Sequence, residues 1–98
     1  MKISVHSLAQ RDYSRALDYY EQESVALAER FEAAIQQGFA KIIASPKAFP
    51  YHLKSQIYRR YKTAPFLYPI VYRLKEDEIR IIAIKHEKQR PSFGMNRS

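Results

Sequence analysis

Residues 78–86, Glu-Ile-Arg-Ile-Ile-Ala-Ile-Lys-His, are the stretch that decides the fold. Five of the six residues from Ile79 to Ile84 are apolar, so a strand at this position is apolar on both faces. Strands of that kind lie at the centre of a sheet that is covered on both sides. The stretch therefore predicts a central strand, and the rest of the chain must supply its neighbours and its cover.

Two further strand-like runs precede this stretch, at residues 57–63 and 66–75. The polar residues 75–78 join the second run to the third as a tight hairpin. Pro69 cannot donate a hydrogen bond to a neighbouring strand, so we expect an edge or a bulge there. Residues 46–56 contain two prolines and read as a loop.

The N-terminal half predicts one short strand and two helices. Residues 2–6 alternate polar and apolar side chains, as in a strand. Apolar residues then follow helical spacing over 8–21, with Ser7 as the expected N-cap. A second helix, capped by Ser24, ends near residue 44, because the proline at 46 disfavours helix in the residue before it.

The resulting order is β-α-α-β-β-β, an α+β fold. We expect the N-terminal strand and a helical hairpin to pack on one face of a curved, mainly antiparallel sheet. The other face of the sheet, flanked by a basic tail at residues 87–98, is then a candidate binding surface. A chain of 98 residues has room for one domain, spanning 1–98.

The composition excludes several classes of site. The chain has no cysteine, which excludes disulfides and thiolate metal sites, and its three histidines lack metal-ligand spacing. With two glycines it has no glycine-rich phosphate loop. We therefore expect no metal and no cofactor. No apolar run is long enough to span a bilayer and no signal peptide is visible, so we expect a cytoplasmic protein with no membrane partner.

The excess positive charge lies in the second half of the chain. Residues 1–50 contain six Lys/Arg and six Asp/Glu, whereas residues 51–98 contain eleven Lys/Arg and four Asp/Glu. The second half therefore carries the whole net charge of +7, together with five of the eight tyrosines. A basic, tyrosine-rich surface attracts polyanions and can stack on bases.

The first candidate cluster is residues 58–62, Tyr-Arg-Arg-Tyr-Lys. On a strand, Tyr58, Arg60 and Lys62 share one face and Arg59 lies on the other. Arginine forks can neutralise phosphate, and tyrosines can stack on bases. The alternative is that the tyrosines are ordinary strand formers and the arginines a solvated face.

The second cluster follows the last predicted strand and contains Lys85, His86, Lys88 and Arg90. Loops beyond strand ends often carry function. His86 is the one residue of the two clusters that is suited to general acid–base chemistry, and Arg60 is its candidate catalytic partner. The alternative is a structural histidine that hydrogen-bonds the tail.

Several short patterns, in order along nearly the whole chain, resemble the RelE/ParE superfamily of toxins from type II toxin–antitoxin modules. The matching segments are Ala9-Gln10-Arg11-Asp12, Tyr19-Tyr20, Pro46, Phe49-Pro50, Arg59-Arg60, residues 66–72, residues 83–86 and Arg90-Pro91. The proline within residues 66–72 is displaced relative to the family pattern.

The resemblance implies a growth-inhibiting toxin and leaves two targets open. ParE-like members poison DNA gyrase, which is the function we expect. RelE-like members are ribosome-dependent mRNA endoribonucleases that place an acid or base, commonly tyrosine or histidine, near the C-terminus. Here the aromatic residue of the tail is Phe93, which cannot transfer a proton. A third possibility is a non-toxic nucleic-acid-binding module of the same fold.

The resemblance also implies partners. We expect a cognate antitoxin protein, DNA gyrase or the ribosome and its mRNA as target, and assembly as a homodimer or as a hetero-oligomer with the antitoxin. The residues expected to contact the target are Arg59, Arg60, Lys62, Lys85, Lys88 and Arg90.

Overall fold

A computed structural model describes residues 1–98 and contains two helices and four strands. They are β1 (Lys2–Val5), α1 (Ser7–Glu23), α2 (Val25–Ala44), β2 (Tyr58–Tyr61), β3 (Ile70–Lys75) and β4 (Glu78–Ile84). The predicted order β-α-α-β-β-β is confirmed. The three C-terminal strands are shorter than predicted, and β3 begins only after Pro69, which lacks the amide hydrogen that pairing needs. Neither helix has the length and apolar character needed to cross a membrane.

The four strands form one mixed sheet in the order β1-β4-β3-β2. Strand β4 is central, as its two apolar faces predicted: it pairs parallel with β1 and antiparallel with β3. The outer edge of β2 is partly covered by the preceding loop, because the Arg60 amide donates to the Pro50 carbonyl at 3.0 Å.

The pairing of β3 with β4 contains a bulge. Val71 lies opposite Ala83, but Tyr72 lies opposite Ile81, so Ile82 is an extra residue on β4. A bulge shifts the alternation of side chains by one residue. Both Ile82 and Ala83 therefore lie on the face away from the helices, and the next residue, Ile84, returns to the helix-facing core.

Three of the four helix ends lie at the predicted position or within about two residues of it. Ser24 caps α2 as predicted, since its Oγ accepts from the Leu27 amide at 2.9 Å, and α2 ends at Ala44. The predicted Ser7 cap is wrong. Ser7 is the first residue of α1, and His6 takes the cap position because its Nδ1 accepts from the Leu8 amide at 3.0 Å.

The main core lies between the helical hairpin and one sheet face. Phe31 on α2 is fully buried and contacts four other aromatic rings, with centroid distances of 5.0 to 5.9 Å. Its partners are Tyr13, Tyr20, Phe66 and Tyr68. Ile79, Ile81 and Ile84 of the central strand complete this core, which explains how the hairpin buries its apolar stripe.

The opposite face of the sheet is not the free binding surface expected above; it is covered, as the two apolar faces of β4 predicted. Residues 91–98 fold back over it, and Val71, Ile82 and Ala83 are fully buried there with Met95 packed against them. The Tyr58 hydroxyl donates to the Met95 carbonyl at 3.0 Å. Apolar side chains on both faces of β3 and β4 need cover, and the tail is the only remaining segment that can provide it.

Candidate target-binding site

The end of the sheet that the tail leaves uncovered carries an open depression of about 360 Å³. We call it the basic depression; it is lined by His52, Arg60, Lys62, Lys85, Glu87 and Pro91, with Leu53 and Pro69 beside them. Alternation along β2 and its extension directs Arg60 and Lys62 to the same face, as predicted. Three cations and one carboxylate meet here, so the depression is net positive.

Lys85 is the least exposed of these cations. It follows β4 directly, and only 4% of its surface is accessible. Its ammonium has one hydrogen bond, to the Gln89 carbonyl at 3.4 Å. Burial lowers the pKa of Lys85, and the nearby Glu87 carboxylate opposes this effect. An ammonium has three donors, so two donors of Lys85 have no acceptor within the protein.

His52 is also buried, at 5% exposure, and was not singled out by the sequence. Its Nε2 lies 3.0 Å from the Pro91 carbonyl, which ties the 51–56 loop to the tail. Its Nδ1 is buried and has no hydrogen-bond partner. Burial lowers the pKa of His52, the bond to Pro91 partly opposes this, and the charges of Lys85 and Arg60 lower it further. A sequence reveals no such contact, because Pro91 is 39 residues away.

Arg59 lies on the other face and is held within the chain. Its guanidinium donates to the Phe49 carbonyl at 2.8 Å and to the Tyr51 hydroxyl at 3.0 Å. It also lies over the Tyr51 ring, 4.1 Å from the centroid. These contacts organise the loop before β2 and leave the Arg59 guanidinium fewer donors for a target than that of Arg60. The Arg60 guanidinium makes one hydrogen bond, to the Tyr51 carbonyl at 3.2 Å.

His86 lines a second, separate depression of about 500 Å³, between the tail and α1. We call it the aromatic depression; its walls include Arg15, Tyr19, Tyr68, His86, Lys88 and Phe93. The His86 ring packs edge-on against Tyr68 at 5.0 Å, and its Nδ1 accepts from the Lys88 amide at 3.0 Å. An accepting Nδ1 carries no proton, so the imidazole proton of the neutral ring is on Nε2.

Arg60 and His86 therefore lie in different depressions. The β-bulge explains the separation. By placing Ile84 in the helix-facing core, it directs Lys85 to the face of Arg60 and His86 to the side of the helices. Without the extra residue, the alternation would place His86 on the face of Arg60. Lys88 lies with His86, and Arg90 is exposed and lines neither depression.

The charges of these residues are not neutralised by ion pairs. The chain has one salt bridge, between Asp12 and Arg97, and neither residue was predicted to contact a target. The cations of the basic depression are thus free to meet an external anion. Among the walls of the aromatic depression, Tyr19 on α1 is 57% exposed.

Residues 3–91 match a family model described as ParE toxin of type II toxin-antitoxin system, parDE. The chain belongs to this family. A ParE-family chain is the toxin component of a type II toxin–antitoxin module, and such a module includes an antitoxin as its partner. The resemblance to the RelE/ParE superfamily is confirmed.

A solved structure, the YoeB dimer from Staphylococcus aureus, is similar to this ParE-family chain in fold. The sequences are 18% identical, the TM-score is 0.60, and the match covers 88% of this chain and 95% of the YoeB chain. No functionally curated protein shows significant sequence similarity. At this identity the likeness to YoeB concerns the fold alone.

Proposed function

We propose that this toxin inhibits growth by poisoning DNA gyrase, and that the basic depression contacts the gyrase–DNA target. The observation that carries the proposal is the separation of Arg60 from His86. An RNA-cleaving site needs its proton-transfer group within hydrogen-bond reach of the reacting atoms, close to the cations that stabilise the developing charge. A poison that acts through binding has no such requirement.

The contact residues follow from the exposed charge. Arg60, Lys62 and Lys85 form the centre of the proposed surface, with Lys88 and Arg90 on the adjoining tail. Arg59 supports the surface through the loop that it organises. The membership of the ParE family supports gyrase as the target, and the net positive charge suits a complex that contains DNA.

The alternative is a ribosome-dependent mRNA endoribonuclease. The observation that favours it is the aromatic depression itself, which His86 lines together with two cations, Arg15 and Lys88. In that case His86 transfers the proton and Lys88 and Arg15 replace Arg60 as the cations of the site.

Induced expression with three readouts separates the candidates. For a gyrase poison, we expect growth arrest, accumulation of gyrase-cleaved DNA and intact mRNA. His86→Gln should keep all three effects, whereas the double variant Arg60→Gln/Lys62→Gln should lose the arrest and the cleaved DNA. Lys54→Gln, which removes an exposed charge outside the basic depression, is the matched control.

Two other results would decide against the gyrase proposal. Cleaved mRNA that disappears in His86→Gln would establish the endoribonuclease. Growth that is unaffected by the wild-type chain at a confirmed expression level would favour the non-toxic binding module. Because YoeB is described as a dimer, we also propose that this toxin self-associates, which light scattering of the purified chain measures directly.

A further inference from the structure

We propose that the basic depression is a binding site for one phosphate group, held between Arg60, Lys62 and Lys85. The proposal deepens the proposed function, on which it rests for its biological role, by naming the chemistry that the target surface recognises. The phosphate can belong to a nucleic-acid strand or to a free phosphate compound. Its binding is measured without gyrase, so the two proposals can fail separately.

The first argument is the unbalanced charge of the basic depression. Arg60, Lys62 and Lys85 line it together, and Glu87 is the one carboxylate among the lining residues. None of the three cations takes part in an ion pair. Bringing like charges together raises the free energy of the folded protein, and an anion bound between them offsets that cost.

The second argument is the incomplete hydrogen bonding of Lys85. A lysine that is 96% buried normally has its donors satisfied, but Lys85 has a single long bond, to the Gln89 carbonyl at 3.4 Å. The exposed Glu87 gives it no ion pair within 4.0 Å. A bound oxyanion would supply both the missing acceptors and the missing negative charge.

The third argument is the buried histidine beside Lys85. The Nδ1 atom of His52 has no partner, although the ring lies in the wall of the basic depression. An anion close to Lys85 and Arg60 cancels the two charges that now disfavour a protonated His52. A protonated ring keeps its bond to the Pro91 carbonyl and gains a donor at Nδ1.

The donors suit a tetrahedral oxyanion in particular. Arg60 presents a planar fork that can donate two parallel hydrogen bonds to phosphate, and Lys62 and Lys85 act as point charges. The depression is open and about 360 Å³ in volume, which admits a phosphate that is still attached to a larger molecule. The phosphate of a single nucleic-acid strand fits such an open depression, and so does a smaller free phosphate compound.

The test is a titration of the full-length chain, followed by backbone amide NMR shifts, at constant ionic strength. Inorganic phosphate is the first probe, with chloride as the reference anion. We expect saturable shifts around residues 60–62 and 85–87. Lys62→Gln and Lys85→Met should each weaken binding by at least about tenfold, because each removes a charge-assisted hydrogen bond. Lys54→Gln should change it less than about twofold.

A short single-stranded oligothymidylate is the second probe. If it displaces inorganic phosphate, the site accepts a nucleic-acid backbone; if phosphate binds and the strand does not, the site takes free phosphate compounds. Lys85→Met keeps the side-chain volume and Lys62→Gln lies at the surface, so we expect both variants to fold, and their amide spectra show this directly. Shifts no larger than those with chloride, or equal weakening by Lys54→Gln, would overturn the proposal.

Discussion

Arg97, in the last turn of the tail, forms the one salt bridge of the chain with Asp12 on α1, at 2.7 Å between Nη1 and Oδ2. The same Arg97 nitrogen donates to the Ile82 carbonyl at 3.1 Å, and the same Asp12 oxygen accepts from the Ile84 amide at 3.1 Å. The pair thus joins the first helix, the central strand at its bulge and the folded-back tail. The pair therefore holds the tail, residues 91–98, against the sheet face opposite the helices.

Replacing Asp12 by asparagine should destabilise the protein by about 3 kcal/mol, since it leaves the guanidinium of Arg97 without its counter-charge in a largely buried position. Urea denaturation measures the loss, and hydrogen exchange should show faster exchange in residues 91–98. Asp18→Asn, an exposed change on the same helix, is the control and should shift stability by less than about 0.5 kcal/mol. An equal loss in both variants would contradict the role given to the pair.

Lys85→Met should raise the urea midpoint relative to wild type, because it removes a buried charge that has one long hydrogen bond. The effect should depend on pH. The folded-state pKa of Lys85 lies below its ordinary value of 10.5, so wild-type stability should rise with pH between the folded value and 10.5. The same curve for Lys85→Met should lack that rise. A variant less stable than wild type at all pH values would refute this account.

His52 should make the protein sensitive to mild acid. Its folded-state pKa is below 6.5, so the unfolded chain takes up the proton first as the pH falls. The contribution of His52 to the free energy of unfolding is therefore fully present above pH 6.5. It is lost as the pH falls from 6.5 through the lower folded-state pKa. Unfolding by urea from about pH 8 to about pH 5 measures the change. His52→Gln, which keeps a donor for Pro91, should show a flatter profile, and identical profiles would exclude His52 as the cause.

Gly38→Ala should destabilise the protein although alanine favours helix. An added Cβ would lie 2.8 Å from Ile70 Cδ1 and 3.0 Å from Tyr61 Cε1, both in the helix–sheet core. Overpacking costs roughly 1–3 kcal/mol, against a gain of about 1 kcal/mol in helix propensity. We expect a net loss of about 1 kcal/mol in thermal or urea unfolding. Gln37→Ala, at the exposed neighbouring position, is the control and should be nearly neutral. If Gly38→Ala instead stabilises the protein, the side chains of Ile70 and Tyr61 can move to accommodate the added Cβ.

Much of the fold could be predicted because its signals are local. The two apolar faces of residues 79–84 placed β4 at the centre of the sheet, and Ser24 and the proline at 46 marked the ends of α2. The His6 cap was missed because a serine at the next position is the commoner cap residue. The grouping of Arg60 with Lys62 was also predictable, since it needs only the two-residue period of a strand.

The sequence alone therefore determined the order of the elements, the central strand and the basic character of the second half, because propensity, periodicity and charge are properties of neighbouring residues. Only the tertiary structure decided that the tail covers the second sheet face and that Arg60 and His86 face different depressions. Both outcomes depend on contacts between distant segments: the pairing of Val71 with Ala83 beside an extra Ile82, and the bond from Arg97 to Asp12. A one-residue shift in strand pairing reverses which face each later side chain occupies, and that shift is set by packing across the sheet rather than by the local sequence.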